Sequence, residues 1–299
     1  PGRLAPEARA FAAAMEDKPE FYKTCHNNRS LAVFKEKGPC LIGATEAPGA
    51  PDFVLWGDSH AAALKPAVSA MAARHGRKGV MITSPACTPL LDVWNEKQYS
   101  ECAGKRVLAH DYATRAGIDT VIVVSRWASK VSGQPGDHLE TLLRDAQTQG
   151  ATTPVTARAV LRRGLDRTMV ALDPSARDIW LVRQVPVFYH ALGQRTDFKT
   201  LFVRRHVAAW VPWLNIAEIL PRIPLAEHRA WQAPADRILD EVAHRHGLGV
   251  IDPASALCDA PSAPDPICYF RRDGVVFYRD DDHLSATGAR HIAEIFRPV

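Results

Sequence analysis

Short apolar runs alternate with helical patterns along most of this chain of 299 residues. The predicted strands are "DFVLW" (52–56), "GVMITS" (79–84), "TVIVVS" (120–125), "DIWLVRQVPVF" (178–188) and "GVIDP" (249–253). The predicted helices cover about 60–74, 103–116, 156–172 and 226–246. Strands that are apolar throughout and lead into helices are typical of a parallel sheet covered on both faces. The sequence therefore predicts an α/β fold, a doubly wound, flavodoxin-like parallel sheet of about five strands flanked by helices.

Two segments depart from this alternation. Residues 1–50 hold one short helical pattern and a loop rich in proline and glycine, and they predict an irregular N-terminal extension packed on a domain of residues 51–299. Residues 189–225 are rich in tryptophan, proline and arginine and predict an insertion, either a lid or substrate wall or an ordinary packed excursion. The chain begins without a methionine or a signal-peptide pattern, so we expect it to be a segment of a longer protein.

Charge and motif content exclude several classes of function. The net charge is +4 and the pI about 8.8, and the basic residues are scattered, which disfavours a nucleic-acid partner. No apolar run reaches the roughly 18 residues that a membrane-spanning helix needs. Neither G-x-G-x-x-G after the first strand nor G-x-x-x-x-G-K-[ST] occurs, so a nucleotide site would lack its phosphate-binding loop.

The cysteines fall into three local groups. Their positions are Cys25 and Cys40, Cys87 and Cys102, and Cys258 and Cys268. These short separations favour three local disulfides, although six cysteines allow 15 pairings. Buried free cysteines and a zinc site are the alternatives, and the chain has no C-x-x-C or H-x-x-x-H spacing to support zinc. Disulfides would place the protein in an oxidising compartment.

The first predicted strand ends in a polar tetrapeptide, Gly57-Asp58-Ser59-His60, directly before an alanine-rich helix. One interpretation is that Asp58 or Ser59 caps this helix. The other is that Ser59 is a nucleophile at the carboxyl end of a central strand, where open α/β sheets bind ligands. A serine nucleophile requires a base, which must come from elsewhere in the chain.

A candidate base lies near the C-terminus, in "YRDDDHLSATGARHIAEIF" (278–296). His283 follows three aspartates and precedes a helix, and its loop is expected at the same sheet edge as Ser59. Asp280, three positions earlier in a turn, can accept the proton on the other imidazole nitrogen and fix the tautomer. Asp281 and Asp282 are expected to point away. The alternative is a solvated acidic loop near a helix start.

The remaining polar residues near these motifs receive other interpretations. His60 is expected to be packed or hydrogen-bonded rather than to act as the base. His244 and His246 suit the C-terminal end of a helix dipole. Arg183 and Gln184 follow the fourth strand and are candidate substrate contacts.

Together these motifs resemble the SGNH/GDSL hydrolase superfamily, and in particular the SGNH domains fused to membrane acyltransferase-3 proteins. The resemblance runs from about residue 25 to the C-terminus. The stretches that carry it are "VLWGDSHAAAL", "SPACTPLL", "VVSRW", "LCDAPSAPDPICYF" and "YRDDDHLSATGA".

The resemblance implies a catalytic triad, with Ser59 as nucleophile, His283 as general acid/base and Asp280 as its orienting acid. It implies no metal and no bound cofactor, because a partner membrane acyltransferase-3 domain would deliver the acyl group, ultimately from acetyl-CoA. That domain would belong to the same full-length chain. This domain would then lie on the periplasmic or extracytoplasmic face of a bacterial inner membrane.

The oxyanion hole departs from the superfamily pattern. The superfamily places a glycine and an asparagine after the second and third strands, where this chain has Ser84-Pro85-Ala86 and Ser125-Arg126-Trp127. The backbone N–H of Ser59 is one candidate donor, and the other candidates lie at Arg126 and Trp127. Loss of one donor removes roughly 3 kcal/mol of transition-state stabilisation, so this departure weakens the expectation of efficient hydrolysis.

The leading hypothesis is therefore an O-acyltransferase domain. It would move an acyl group, most simply acetyl, through a serine ester to a hydroxyl of a cell-envelope glycan such as lipopolysaccharide O-antigen, capsule or peptidoglycan. The alternatives are a carbohydrate esterase or deacetylase with the same triad, and a glycan-binding module whose triad is vestigial.

Overall fold

The computed structural model describes residues 6–20, 22–27, 30–96, 98, 100–133, 139–188 and 222–299. The helices are α1 (Pro6–Glu16), α2 (Leu31–Lys37), α3 (Ser59–Arg74), α4 (Cys102–Ala113), α5 (Trp127–Ser132), α6 (Pro154–Leu172), α7 (Leu225–His246), α8 (Ala254–Leu257) and α9 (Ala286–His291). The strands are β1 (Cys40–Gly43), β2 (Phe53–Gly57), β3 (Lys78–Thr83), β4 (Thr120–Val124), β5 (Asp178–Val182), β6 (Arg222–Pro224), β7 (Gly249–Ile251), β8 (Ile267–Tyr269), β9 (Arg271–Arg272) and β10 (Val275–Val276). Single turns of other helix types cover Lys23–Asn27, Leu139–Thr141 and Ala293–Phe296.

A six-stranded sheet of order β1-β3-β2-β4-β5-β7 forms the centre of the molecule. Five of its strands are parallel, which confirms the predicted α/β fold. The sixth, β1, pairs antiparallel with β3 at the edge, inside the region that the sequence predicts to be irregular. Its four residues bury only Ile42, so the apolar signal of this edge strand is too short to stand out.

The central strands are buried on both faces, as the unbroken apolar runs predict. On β2, Phe53 and Leu55 belong to one hydrophobic cluster, and Val54 and Trp56 belong to the cluster on the opposite face. Helix α3 and the C-terminal segment cover the first face, whereas α4, α6 and α7 contribute to the second. This two-sided burial fixes the strands at the centre of the domain.

Strand β5 is shorter than predicted, and the predicted insertion follows it. Strand β5 ends at Val182, six residues before the predicted end at position 188, and Pro186, which has no N–H to donate, lies in the part that does not continue the sheet. Most of the predicted insertion, residues 189–221, lies outside the described residues. Its last part, β6, pairs antiparallel with β8. None of the helices that the structure describes combines the length and the hydrophobicity of a transmembrane span.

Three disulfides connect irregular parts of the chain to the sheet and helices. They join Cys25 to Cys40, Cys87 to Cys102, and Cys258 to Cys268, the local pairs that the spacing favours. The first ties the turn at Lys23–Asn27 to β1, and the second closes the loop between β3 and α4. A closed loop of about 15 residues stabilises a fold by roughly 3 kcal/mol in the chain-entropy description.

The carboxyl ends of three parallel strands meet at one place. Gly57 is in register with Thr83 on one side and with Val124 on the other. The residues that follow these positions therefore emerge side by side at the same edge of the sheet. A Cβ at Gly57 would overlap the carbonyl oxygen of Val124 and lie 2.6 Å from the Cβ of Ala61, so only glycine allows this close approach.

Replacement of Gly57 tests this packing. We expect Gly57→Ala to lower the free energy of unfolding by about 1–3 kcal/mol, because the added methyl group meets backbone that has no room to move. Urea denaturation followed by circular dichroism measures the change. Val170→Ala, at a position that is 66% exposed, is the matched control and should stay within about 0.5 kcal/mol. Equal stability of the two variants would contradict the packing argument.

Candidate active site

Ser59 is the first residue of α3, directly after β2. The side chain of Asp58 is the cap of this helix and accepts a hydrogen bond of 2.9 Å from the backbone N–H of His60. The structure confirms that Asp58 is the cap, and it places Ser59 at the helix N-terminus, the position that the nucleophile hypothesis requires. The backbone N–H of Ser59 belongs to the first turn, whose N–H groups have no partner in the helical ladder.

The loop that carries His283 is closed by its own backbone. Tyr278 and Leu284 form an isolated antiparallel bridge, and the N–H of Arg279 donates to the carbonyl of His283 at 3.1 Å. Inside the loop, Asp280 Oδ1 accepts hydrogen bonds from the backbone N–H groups of Asp282 at 3.1 Å and His283 at 2.6 Å. These bonds fix the conformation of the loop.

The structure brings the three predicted triad residues together. Ser59 Oγ lies 2.8 Å from His283 Nε2, and His283 Nδ1 lies 3.0 and 3.1 Å from the two carboxylate oxygens of Asp280. Because Nδ1 faces a carboxylate, it carries the proton of the neutral ring, and Nε2 is left to accept the proton of Ser59. This is the arrangement that a serine nucleophile requires.

A second carboxylate, Asp282, also faces the imidazole, contrary to the prediction that it points away. Its Oδ1 lies 2.7 Å from His283 Nδ1. The prediction assumed that adjacent side chains point away from one another, but the hydrogen bonds to Asp280 curl the chain so tightly that Asp282 and His283 meet. Three consecutive aspartates before a histidine are the sequence signal that contained this contact.

Asp282 is held from two further directions. Its Oδ2 lies 2.8 Å from Arg126 Nε and 3.4 Å from His60 Nε2. The rings of His60 and His283 are 4.7 Å apart. His60 is 3% exposed, so it is packed among charged groups, as predicted, and its ring is not directed at the Ser59 hydroxyl as the base.

The charges of this site shift the pKa values in opposite directions. Burial alone would lower the pKa of His283, but the charges of Asp282 and Asp280 and their hydrogen bonds outweigh it and hold that pKa well above the ordinary value. Burial would raise the pKa of Asp282, but Arg126 and His283 hold it well below its usual range. Burial and the two neighbouring carboxylates raise the pKa of Asp281 to about 7.

Asp58 organises the residues that follow β4. Its Oδ2 accepts hydrogen bonds from the Ser125 hydroxyl at 2.7 Å and from the Arg126 backbone N–H at 2.9 Å. Burial would raise the pKa of Asp58, but the charges of His60 and Lys130 and these hydrogen bonds lower it overall. Asp58 is therefore a buried anion that joins the end of β4 to the start of α3.

The candidate oxyanion donors after β4 differ in what they contact. Trp127 is completely buried and its indole N–H donates to the carbonyl of Val182 at 2.8 Å, so its side chain is not a substrate contact, and its backbone N–H stays a candidate donor. Its size and apolar ring place it in the core. The backbone N–H of Arg126 is bound to Asp58, and its side chain contacts Asp282.

The residue after β3 has an unexpected cationic partner. Lys105 is buried on α4 and donates to Ser84 Oγ at 3.1 Å. This bond occupies an acceptor position of the Ser84 hydroxyl and leaves its proton to donate elsewhere. The sequence gives no sign of this contact, because a lone lysine within a helix has no distinctive spacing.

The N-terminal segment also reaches the site, which the sequence does not reveal. His26 is completely buried and its Nδ1 lies 3.0 Å from Thr83 Oγ1, at the end of β3. Burial lowers the pKa of His26 to about 3. Arg279 donates to the Tyr22 hydroxyl at 3.1 Å, and its Nε lies 3.7 Å from Asp280. The disulfide at Cys25 anchors this segment.

The candidate substrate contacts after β5 are structural. Gln184 is 1% exposed and its side-chain oxygen accepts from the backbone N–H of Ala128 at 3.1 Å. Arg183 donates to Asp240 at 2.5 Å. Neither residue is directed at Ser59 by these contacts, and both stabilise the packing of α5 and α7.

Among the residues that the structure describes, two groups of side chains lie close enough to hold a cation, namely His60, Asp282 and His283, and the three aspartates Asp280, Asp281 and Asp282. Arg126 already supplies a positive charge at Asp282. Since this charge would repel a bound cation, the arrangement is better suited to proton transfer than to metal binding.

Removal of the Asp58 carboxylate should destabilise the protein. We expect Asp58→Ala to cost about 2–4 kcal/mol of unfolding free energy, because it leaves buried donors of His60, Ser125 and Arg126 without an acceptor. Ser30→Ala is a matched control, since Ser30 caps α2 through one hydrogen bond to Val33, and its loss should cost about 1 kcal/mol. Chemical denaturation compares the two, and similar losses would contradict a central role of Asp58.

The raised pKa of His283 predicts the pH dependence of the nucleophile. A protonated imidazole cannot accept the Ser59 proton, so acylation of Ser59 should slow as the pH falls through the pKa of His283. Half of the maximal rate is therefore expected above pH 6.5, the ordinary pKa of histidine. Stopped-flow acylation by an activated ester measures the profile, with Ser59→Ala as the background. A half-maximum at or below pH 6.5 would contradict the electrostatic argument.

Two solved structures match this chain. A lipase/acylhydrolase from Enterococcus faecalis matches over 83% of this chain and 94% of its own, with 13% identity and a TM-score of 0.40. A more similar structure is the periplasmic domain of the lipopolysaccharide acetyltransferase of Salmonella ser. Paratyphi A. That match covers 98% of this chain and 96% of the other, with 15% identity and a TM-score of 0.58. No curated protein is significantly similar in sequence.

The sequence itself assigns the family. Residues 24–298 match the SGNH domain of the type fused to AT3 domains, which is nearly the whole chain and includes Ser59, Asp280 and His283. The chain therefore belongs to the family of SGNH domains that are fused to AT3 domains.

Proposed function

We propose that this domain is an O-acyltransferase, most simply an O-acetyltransferase, that carries the acyl group as an ester on Ser59 and transfers it to a hydroxyl of a cell-envelope glycan. The observation that carries the proposal is the contact of 2.8 Å between Ser59 Oγ and His283 Nε2, with Asp280 at the other ring nitrogen. Hydroxyl and imidazole come from opposite ends of the chain, and their alignment serves a proton transfer.

In the first half of the reaction, Ser59 Oγ attacks the carbonyl carbon of the acyl donor and gives its proton to His283 Nε2. When the tetrahedral intermediate collapses, the bond to the leaving group breaks and His283 returns the proton to that group. In the second half, His283 takes the proton of the acceptor hydroxyl, whose oxygen attacks the ester carbonyl. Ser59 then leaves as the alkoxide and recovers the proton from His283.

Several findings support an acyltransferase function. The family is the one fused to AT3 domains, and the fold is similar to a periplasmic domain of a lipopolysaccharide acetyltransferase. The three disulfides suit an oxidising compartment. We therefore place the domain on the periplasmic or extracytoplasmic face of the inner membrane, with lipopolysaccharide O-antigen, capsule or peptidoglycan as the class of acceptor.

The acyl donor in this proposal comes from a membrane acyltransferase-3 domain on the same full-length chain, ultimately from acetyl-CoA. The domain itself would then need no resident cofactor. Its own residues would supply only the nucleophile, the proton transfer and the electrostatic environment, which are the groups found around Ser59.

Hydrolysis is the competing outcome of the same triad, because water can replace the glycan hydroxyl in the second half of the reaction. The side chain of His283 is 19% exposed and that of Asp280 is 39% exposed, so the base is not sealed from solvent. Whether the acyl group reaches a sugar or water is therefore the property that separates a transferase from an esterase.

Formation of the serine ester tests the nucleophile. Incubation with an activated acetyl ester should add the mass of one acetyl group to the intact protein, and peptide mapping should place it on Ser59. Ser59→Ala should remain unmodified, whereas Ser129→Ala, a buried serine on α5 whose hydroxyl donates to the Arg126 carbonyl, should be acetylated like the wild type. Absence of the ester on wild-type protein at alkaline pH would overturn the proposal.

Transfer is tested by adding envelope glycans to the acetylated protein. Acetyl groups recovered on the sugar support the transferase, and free acetate alone supports the esterase. If Ser59→Ala leaves O-acetylation by the full-length protein unchanged in cells, the domain is a glycan-binding module instead.

A further inference from the structure

We propose that Asp282 is a positioning residue for His283, a second carboxylate of the triad that Arg126 and His60 hold in place. The inference deepens the proposed function, since it rests on His283 acting as the base of Ser59. It assigns to Asp282 a role that the D-x-x-H pattern gives to Asp280 alone.

The two carboxylates differ in how they meet the imidazole. Asp280 is in hydrogen-bonding geometry with Nδ1 through both oxygens, and its Oδ1 also accepts two backbone N–H groups of the loop. Asp282 comes closer, at 2.7 Å, as a charge contact beside that hydrogen bond. Asp280 therefore sets the direction of the N–H, and Asp282 adds negative charge next to the ring.

Burial makes the charge of Asp282 the more effective of the two. The side chain of Asp282 is 4% exposed, whereas that of Asp280 is 39% exposed. A charge that water and salt reach is screened, and one in the protein interior acts at a lower effective dielectric constant. When Ser59 gives up its proton, the positive charge that forms on His283 is thus stabilised mainly by the buried carboxylate.

A carboxylate buried so deeply needs partners of its own. Arg126 Nε at 2.8 Å supplies the compensating charge, and His60 Nε2 at 3.4 Å contacts the same oxygen, Oδ2. Oδ1 is then directed at His283. Asp282 is consequently fixed on both sides, which a solvated loop aspartate would not be.

Other charged groups also face His283 and enter any titration. They are His60 from α3, Arg126 from the end of β4 through Asp282, Arg279 through Asp280, and His26 from the N-terminal segment. Arg126 and Arg279 carry positive charges that oppose protonation of His283. Burial lowers the pKa values of His26 and His60, which favours the neutral forms of these rings. The two carboxylates must therefore account for a raised affinity of His283 for protons.

The decisive experiment is an NMR titration of His283, with its signals assigned by their loss in His283→Gln. We expect Asp282→Asn to lower the pKa of His283 by about one unit or more, a tenfold or larger change in proton affinity. The matched control is Asp281→Asn, the same substitution one residue earlier at a side chain outside the His283 contacts. It should shift the pKa of His283 much less. Equal shifts in the two variants would overturn the proposal.

Arg126→Gln is a second variant, for which we do not expect the pKa of His283 to fall. Removing the guanidinium leaves the Asp282 carboxylate at the ring and takes away a positive charge, so the pKa of His283 should stay the same or rise. If Asp282 served only to keep the loop folded, both variants would loosen the loop and lower that pKa together. A fall in Arg126→Gln similar to that in Asp282→Asn would therefore reject the positioning role.

Kinetics complete the test at the pH where His283 is deprotonated in each variant. We expect Asp282→Asn to slow acylation of Ser59 about tenfold or more through kcat, with little change in KM, because the contact stabilises charge that forms in the transition state. An unchanged kcat contradicts the role. If wild-type Ser59 is not acylated at all, the proposed function fails, whereas the NMR titration still decides how Asp282 acts on His283.

Discussion

Two buried carboxylates at the carboxyl edge of the sheet hold this site together. Asp58 and Asp282 are 2% and 3% exposed, and the same two residues bridge them. His60 and Arg126 each bind Asp58 through a backbone N–H, and each contacts Asp282 through its side chain. The segments after β2, after β4 and before α9 are thereby joined by charge, and the positions of Ser59 and His283 follow from these contacts.

Most of the fold follows from patterns that the sequence displays. A strand such as β2, apolar at every position and followed by the alanine-rich α3, can be satisfied only between two layers of helices. The contact of Ser59 with His283 was likewise predictable, from a serine directly after a central strand and a histidine in the loop before the last helix. Strand β1 was missed because edge strands bury few side chains, so four residues with one buried position leave little signal.

The rest of the site depends on side-chain environment, which periodicity does not encode. Trp127 lies next to Arg126 in sequence, yet one is in the core and the other at the site, because a helix begins between them. Asp282 was misjudged since the conformation of its turn is set by hydrogen bonds to Asp280. His26 reaches Thr83 only through the folding of a segment anchored by a disulfide.

The same electrostatics bears on which acyl donors and acceptors suit the proposed reaction. Two carboxylates that raise the pKa of His283 make it a stronger base and a weaker acid, so it takes a proton from a hydroxyl more readily than it returns one to a poor leaving group. A donor with an activated acyl group needs little acid assistance on departure, and a sugar hydroxyl needs a strong base. A site with this balance is suited to an activated acyl donor in the first half of the proposed reaction and to activation of an acceptor hydroxyl, of a sugar or of water, in the second.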